Sequence, residues 1–192
     1  VDTDHGFGRA RWNSQPHLYN SLEGEAIYKS ELFRILLDNP EFRNRFINRC
    51  ADLMNTIFQP DHVTAQLDSF QKIFEPEMPR MIRRWQGVDV SNIGDAYPVT
   101  GMEQWYAWID TAKAFGRRRI AAMRELLLSA DGVAESKNNS RPYAAFNLSG
   151  ITRVTVDVSN PGMGRIQVNG LYLKSFPWNG DYFIGAPIQV TA

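Results

Sequence analysis

A change of hydrophobic period most constrains the fold. Up to residue 130 apolar side chains recur every three or four positions, and beyond a polar stretch at 131–142 they recur every second position. The first spacing puts apolar residues on one side of a helix, and the second puts them on one face of a strand. Helices followed by strands predict an α+β chain, with a mostly helical region over 1–130, a linker at 131–142, and a small antiparallel β unit over 143–192. The linker follows from composition: it contains Gly132 and the run Ser136-Lys137-Asn138-Asn139-Ser140.

The helical region punctuates itself. Residues 26–37 place Ile27, Phe33, Leu36 and Leu37 on one stripe. At Asp38-Asn39-Pro40-Glu41 one helix stops and another starts: Asn39 suits the N-cap, Pro40 the first helical position, and Glu41 the positive helix end. Phe42, Phe46, Cys50, Leu53 and Ile57 follow at helical spacing and are expected, with Ile47, to be buried. Gln59-Pro60-Asp61 opens a third helix with Val63, Leu67, Phe70 and Phe74 as its expected inner face. Glu75-Pro76-Glu77-Met78-Pro79-Arg80 restarts the chain into Met81, Ile82 and Trp85. A loop over 86–100 precedes a long helix over 102–128, with a kink expected near Gly116 and Arg117-Arg118-Arg119.

In the β region Val154, Val156 and Val158 alternate with Arg153, Thr155 and Asp157. Ile166 and Val168 flank Gln167, Leu171 and Leu173 flank Tyr172, and residues 187–191 form a last strand candidate. Gly162, Gly164, Gly170, Gly180 and Gly185 mark turns between them.

Several functions lose support at this level. Net charge is zero, which argues against a general nucleic-acid binder, because such proteins offset phosphate with a basic excess. The lone cysteine, Cys50, has no internal disulfide partner and no base beside it in sequence, so it reads as an inert core thiol. No apolar run is long enough to span a bilayer. Trp105, Tyr106 and Trp108 read as an inward-packing helix face rather than a carbohydrate platform, and Arg80, Arg83 and Arg84 as a solvated face. The abrupt opening Val1-Asp2-Thr3-Asp4 and the final Ile188-Gln189-Val190-Thr191-Ala192 suggest a piece of a longer protein.

The chemically suggestive segment is Val1-Asp2-Thr3-Asp4-His5-Gly6-Phe7-Gly8. In extended chain, residues two apart point the same way, so Asp2 and Asp4 could offer two carboxylates to one hard cation such as Mg²⁺. Spacing alone leaves two readings open, a metal site and a solvated acidic turn. An EF-hand is excluded, since Phe7 stands where its sixth-position glycine belongs and Asn13 where its twelfth-position acid belongs. His5 has no second His at metal-site spacing and reads as a structural neighbour.

Asp2-Thr3-Asp4-His5-Gly6-Phe7-Gly8, Asn39-Pro40-Glu41-Phe42-Arg43, Arg45-Phe46-Ile47-Asn48-Arg49 and Glu75-Pro76-Glu77-Met78-Pro79-Arg80 occur in this order. Together they resemble the CotH kinase family, named for a spore coat protein, up to about Leu128. The resemblance implies an atypical protein kinase that uses ATP and Mg²⁺ or Mn²⁺ to phosphorylate Ser residues of secreted or coat proteins, placed outside the cell or in its envelope. It implies a metal-binding role for Asp2 and Asp4. The family's other catalytic groups lie upstream of the acidic element, so no catalytic residue is assigned in this chain, which is expected to be inactive alone. No glycine-rich phosphate loop or Walker A motif replaces them.

Gly164-Arg165-Ile166-Gln167-Val168-Asn169 and Trp178-Asn179-Gly180-Asp181-Tyr182-Phe183-Ile184-Gly185 resemble the start of a bacterial surface β-repeat. The competing reading is a non-catalytic coat or surface interaction protein on a kinase-like scaffold. In either case no nucleic-acid partner and no membrane span are expected.

Overall fold

The computed structural model describes residues 31–88, 99–128, 146–160 and 164–192. Among the described residues five helices come first: α1 (Glu31–Asp38), α2 (Pro40–Met54), α3 (Pro60–Phe74), α4 (Met78–Trp85) and α5 (Met102–Leu128). Five strands follow: β1 (Gly150–Val156), β2 (Gln167–Val168), β3 (Leu171–Tyr172), β4 (Trp178–Ile184) and β5 (Val190–Thr191). The architecture is α+β, and the linker at 131–142 lies outside the described residues.

The start signals act as their chemistry dictates. Asn39 Oδ1 accepts from the backbone N–H groups of Glu41 and Phe42 at 2.9 and 3.1 Å, filling two of the unsatisfied donors at the α2 N-terminus. Proline occupies the first turn of α2, α3 and α4, where a missing N–H costs no helical bond.

Contacts divide the chain into two compact units. Among the described residues, one unit holds 58–88 and 99–120, and the other holds 31–57, 121–128 and everything from 146 onward. Packing therefore groups α1, α2 and the last turns of α5 with the strands.

In the first unit, α5 lies close to α3 at Gly116. A Cβ built there would come within 2.7 Å of Val63 Cγ1. α5 is one continuous helix from Met102 to Leu128, and Gly116 serves close approach to α3. Lys113 pairs with Asp68 at 2.6 Å between the same two helices. The inner face expected for α3 needs correction: Val63 and Leu67 are half-buried, but Phe70 and Phe74 are exposed.

In the second unit, β1 and β4 pair antiparallel from Gly150↔Ile184 to Val156↔Trp178. A separate three-stranded sheet runs β3-β2-β5, all antiparallel. β2 and β3 are joined by the two residues Asn169-Gly170, with Asn169 at φ 49°, a left-handed conformation asparagine tolerates better than most residues. β4 ends at Gly185, whose φ of 108° and 2.8 Å approach of a built Cβ to Asn147 O both require glycine. β4 is the strand that periodicity misses. Its Asn179-Gly180-Asp181 centre has turn composition, yet all three residues sit in ladder register opposite β1.

The buried face of α2 also differs from expectation. Ile47, Asn48, Ala51, Asp52 and Met54 are buried, while Phe42, Phe46, Cys50 and Leu53 are half-buried and Ile57 is exposed. Phe46 stacks on Phe146 at 6.1 Å between ring centroids. The helix is rotated from the phenylalanine stripe because β4 and the Asn169-Gly170 turn bond to polar residues that the apolar pattern leaves out.

Candidate functional site

Asn48, Asp52 and Asn55 recur four and three residues apart, which puts them on one side of α2 and its C-cap. Each reaches a different part of the β segment. Asn48 Nδ2 donates to the Pro187 carbonyl at 2.7 Å. Asn55 donates to the Asp181 carbonyl and accepts from the Asp181 N–H, both at 2.9 Å, so one side-chain amide satisfies both backbone groups of a β4 residue. Asp52 is 1% exposed and accepts from the Tyr182 hydroxyl at 2.9 Å, the Gly170 N–H at 3.2 Å and Asn169 Nδ2 at 3.5 Å.

A carboxyl this deep in the protein loses hydration that favours its charged form. Burial pushes the Asp52 carboxyl above its ordinary value, and the bonds from Tyr182, Gly170 and Asn169, with the nearby Arg49 charge, only partly offset it. Burial and the Asp52 carboxylate push the Tyr182 phenol well up, so it remains a donor. Asp181, on the neighbouring strand position, behaves oppositely. Burial would raise it, but Arg153 and Arg124, at 3.1 and 2.8 Å, outweigh burial and lower it.

Beside this cluster is a pocket of about 520 Å³. Its walls include Asn44, Asn48 and Arg49 of α2, and Gly170, Pro187 and Gln189 of the β segment. Asn48 is 8% exposed, and its Oδ1 has no hydrogen-bond partner among the described residues.

The residues singled out from sequence fall elsewhere. Asp2 and Asp4 lie outside the described residues. Their donor set, two carboxylates with hard oxygen atoms, suits Mg²⁺ or Mn²⁺. Among the described residues there is no group of three or more His, Cys, Asp or Glu that could hold a metal ion. Cys50, Trp105 and Trp108 are half-buried, and the exposed Tyr106 hydroxyl donates to Glu75. No helix among the described residues is long and apolar enough to cross a membrane. Sequence reasoning missed the Asn48, Asp52 and Asn55 row. Its signal was present: three short polar side chains at helical spacing, which is how a polar packing face is written.

The CotH kinase protein family matches residues 2–123, more than half of the 192-residue chain. The chain belongs to the CotH kinase protein family. The match begins at the acidic opening and runs through α1–α4 into the last turns of α5. It ends before the strands and does not extend to the surface β-repeat expected there. No curated protein and no solved structure matches the chain.

Proposed function

We propose that this CotH-family chain supplies the metal-holding element and helical scaffold of an atypical protein kinase that transfers phosphate from ATP to Ser residues of secreted or coat proteins. The observation that carries this reading is the family match over residues 2–123, because it includes the Asp2-Thr3-Asp4 element together with the helices behind it. Asp2 and Asp4 would hold Mg²⁺ or Mn²⁺. When bound, the metal would neutralise charge on the nucleotide phosphates. Two carboxylates leave most of an octahedral shell to phosphate oxygens and water, so the site is built to bind metal together with ATP.

Phosphoryl transfer also needs a cation on the nucleotide and an Asp that orients the acceptor hydroxyl. By family order these groups precede the acidic element, so we assign none of them within these 192 residues. The chain alone is then inactive, since catalytic groups acting as a set lose most of their effect when separated. The β segment would serve attachment or spacing, in a protein placed outside the cell or in its envelope.

The test uses labelled ATP, Mg²⁺ or Mn²⁺ and a Ser-rich protein acceptor. The 192-residue chain should transfer no label above an Asp2→Ala/Asp4→Ala double variant. A chain extended upstream to include the missing groups should transfer label, and the double substitution should abolish that transfer. Transfer that survives the double substitution overturns the metal assignment.

A further inference from the structure

β1 and β4 pair only with each other among the described strands, so each has one long side that the other does not cover. On β4 that side is occupied: Asn55 takes both the N–H and the C=O of Asp181, which therefore point away from β1. Asp181 is the ladder partner of Arg153. Facing residues of an antiparallel pair turn their backbone groups either toward each other or both away. The N–H and C=O of Arg153 thus point away from β4, and alternation adds those of Ile151 and Thr155. Among the described residues none of these backbone groups has a hydrogen-bond partner.

Proteins usually blunt such an edge with proline, lysine, a bulge or a cover. β1 has neither proline nor lysine, and it keeps one register from Gly150 to Val156. Charge indicates what the edge accepts. Arg153 Nε and Arg124 Nη2 bond the two oxygens of Asp181, so two cations share one carboxylate. The Arg153 side chain is 70% exposed, and its Nη atoms have no partner among the described residues. A guanidinium with both Nη atoms free is a ready donor to a further carboxylate. The next acid along the chain, Asp157, lies past the end of β1 and accepts from the Val158 N–H. A second copy of the chain fits poorly, because β1 paired with itself along this edge sets Arg153 opposite Arg153.

We propose that β1 takes an acidic extended segment of a partner protein as a third, antiparallel strand. Ile151, Arg153 and Thr155 exchange main-chain hydrogen bonds with it, which supplies affinity. An Asp or Glu opposite Arg153 bonds the free guanidinium nitrogens, which selects the partner and sets its register. The neighbours of that acid fall on the other face, beside half-buried Val154. This inference is independent of the kinase reading, and its test contains neither ATP nor metal.

The probe is a blocked peptide, Val-Thr-Val-Asp-Thr-Ile-Thr, whose central Asp falls opposite Arg153. Amide hydrogen exchange of the 192-residue chain is followed by NMR with and without it. In the free chain the N–H groups of Ile151, Arg153 and Thr155 should exchange fast, and those of Thr152 and Val154, which face β4, slowly. Saturating peptide should slow the first three until the alternation is lost. Lys in place of the central Asp should weaken binding about tenfold, as should Arg153→Gln in the chain, the effect of one charge-assisted hydrogen bond. A peptide N-methylated on the amides that face β1 should not bind. Fast exchange that persists at all three positions, equal binding of the Asp and Lys peptides, or binding of the N-methylated peptide would overturn the proposal. So would protection that appears without peptide and rises with chain concentration, the mark of a second copy on this edge.

Discussion

Tyr182 donates its phenolic hydrogen to Asp52 Oδ1 across 2.9 Å, and both residues are 1% exposed. This bond joins β4 to α2 over 130 positions of sequence. Both partners are buried, so the bond reports on whether the strands are seated on the helix.

Removing the donor while keeping the ring should therefore be costly. Tyr182→Phe leaves Asp52 with the Gly170 and Asn169 donors but without its shortest bond. A hydrogen bond to a charged group contributes about 1.5–3 kcal/mol, and urea denaturation should show a loss of that order. An unchanged midpoint would mean that the Asp52–Tyr182 bond does not form in solution.

Buried Asp52 and half-buried Asp181 should give opposite pH dependences. Asp52 has its carboxyl raised above 3.8 by burial, so in the window from 3.8 up to its folded value the folded state binds more protons than the unfolded. Its contribution to stability is thus full below 3.8 and is lost as pH rises through the folded value. Asp181 is lowered below 3.8 by Arg153 and Arg124 against the effect of burial, so its contribution is present above 3.8 and lost as pH falls below it. Denaturation of the parent beside Asp52→Asn and Asp181→Asn, from pH 3 to 7, checks both signs. The stability advantage of parent over Asp52→Asn should shrink as pH rises, and that over Asp181→Asn should shrink as pH falls.

The rotated face of α2 makes Ile47 and Ile57 a matched pair. Ile47 is 1% exposed and Ile57 is 49% exposed. Ile47→Ala should cost about 2–5 kcal/mol, as buried truncations do. Ile57→Ala should change stability by about 0.5 kcal/mol or less, as surface substitutions do. Equal losses would restore the face drawn from the phenylalanine stripe.

Gly116→Ala separates helix propensity from packing. Alanine in a helix interior gains about 1 kcal/mol over glycine. Here its Cβ would meet Val63 Cγ1 at 2.7 Å and Cβ at 3.3 Å, atoms of a stiff β-branched side chain. Overpacking of this kind costs about 1–3 kcal/mol, so the melting temperature should fall rather than rise.

Much of the fold was legible in sequence because its signals are local. Asn39 caps α2 through bonds to residues two and three positions on, and Pro60 and Pro79 restart helices within their own first turns. The period change announced strands after helices, and the family motifs announced the CotH match. β4 was missed because Asn179-Gly180-Asp181 favours a turn locally, while in the fold β1 supplies its ladder partners. A strand is stabilised by its neighbour, so its own composition is a weaker guide than a helix's.

The sequence by itself determined the α+β class, the helix starts and the family, because each depends on residues a few positions apart or on motifs in order. Only tertiary structure decided which side of α2 is buried and what the β segment packs upon. Apolar spacing assigns an inner face by hydrophobicity alone, and it placed Phe42 and Ile57 inside. The folded chain instead buries Asn48 and Asp52, since Pro187, Gly170 and Tyr182, each more than 100 positions away, supply the hydrogen bonds that offset their lost hydration. A polar residue reads as exposed until its distant partners are in place.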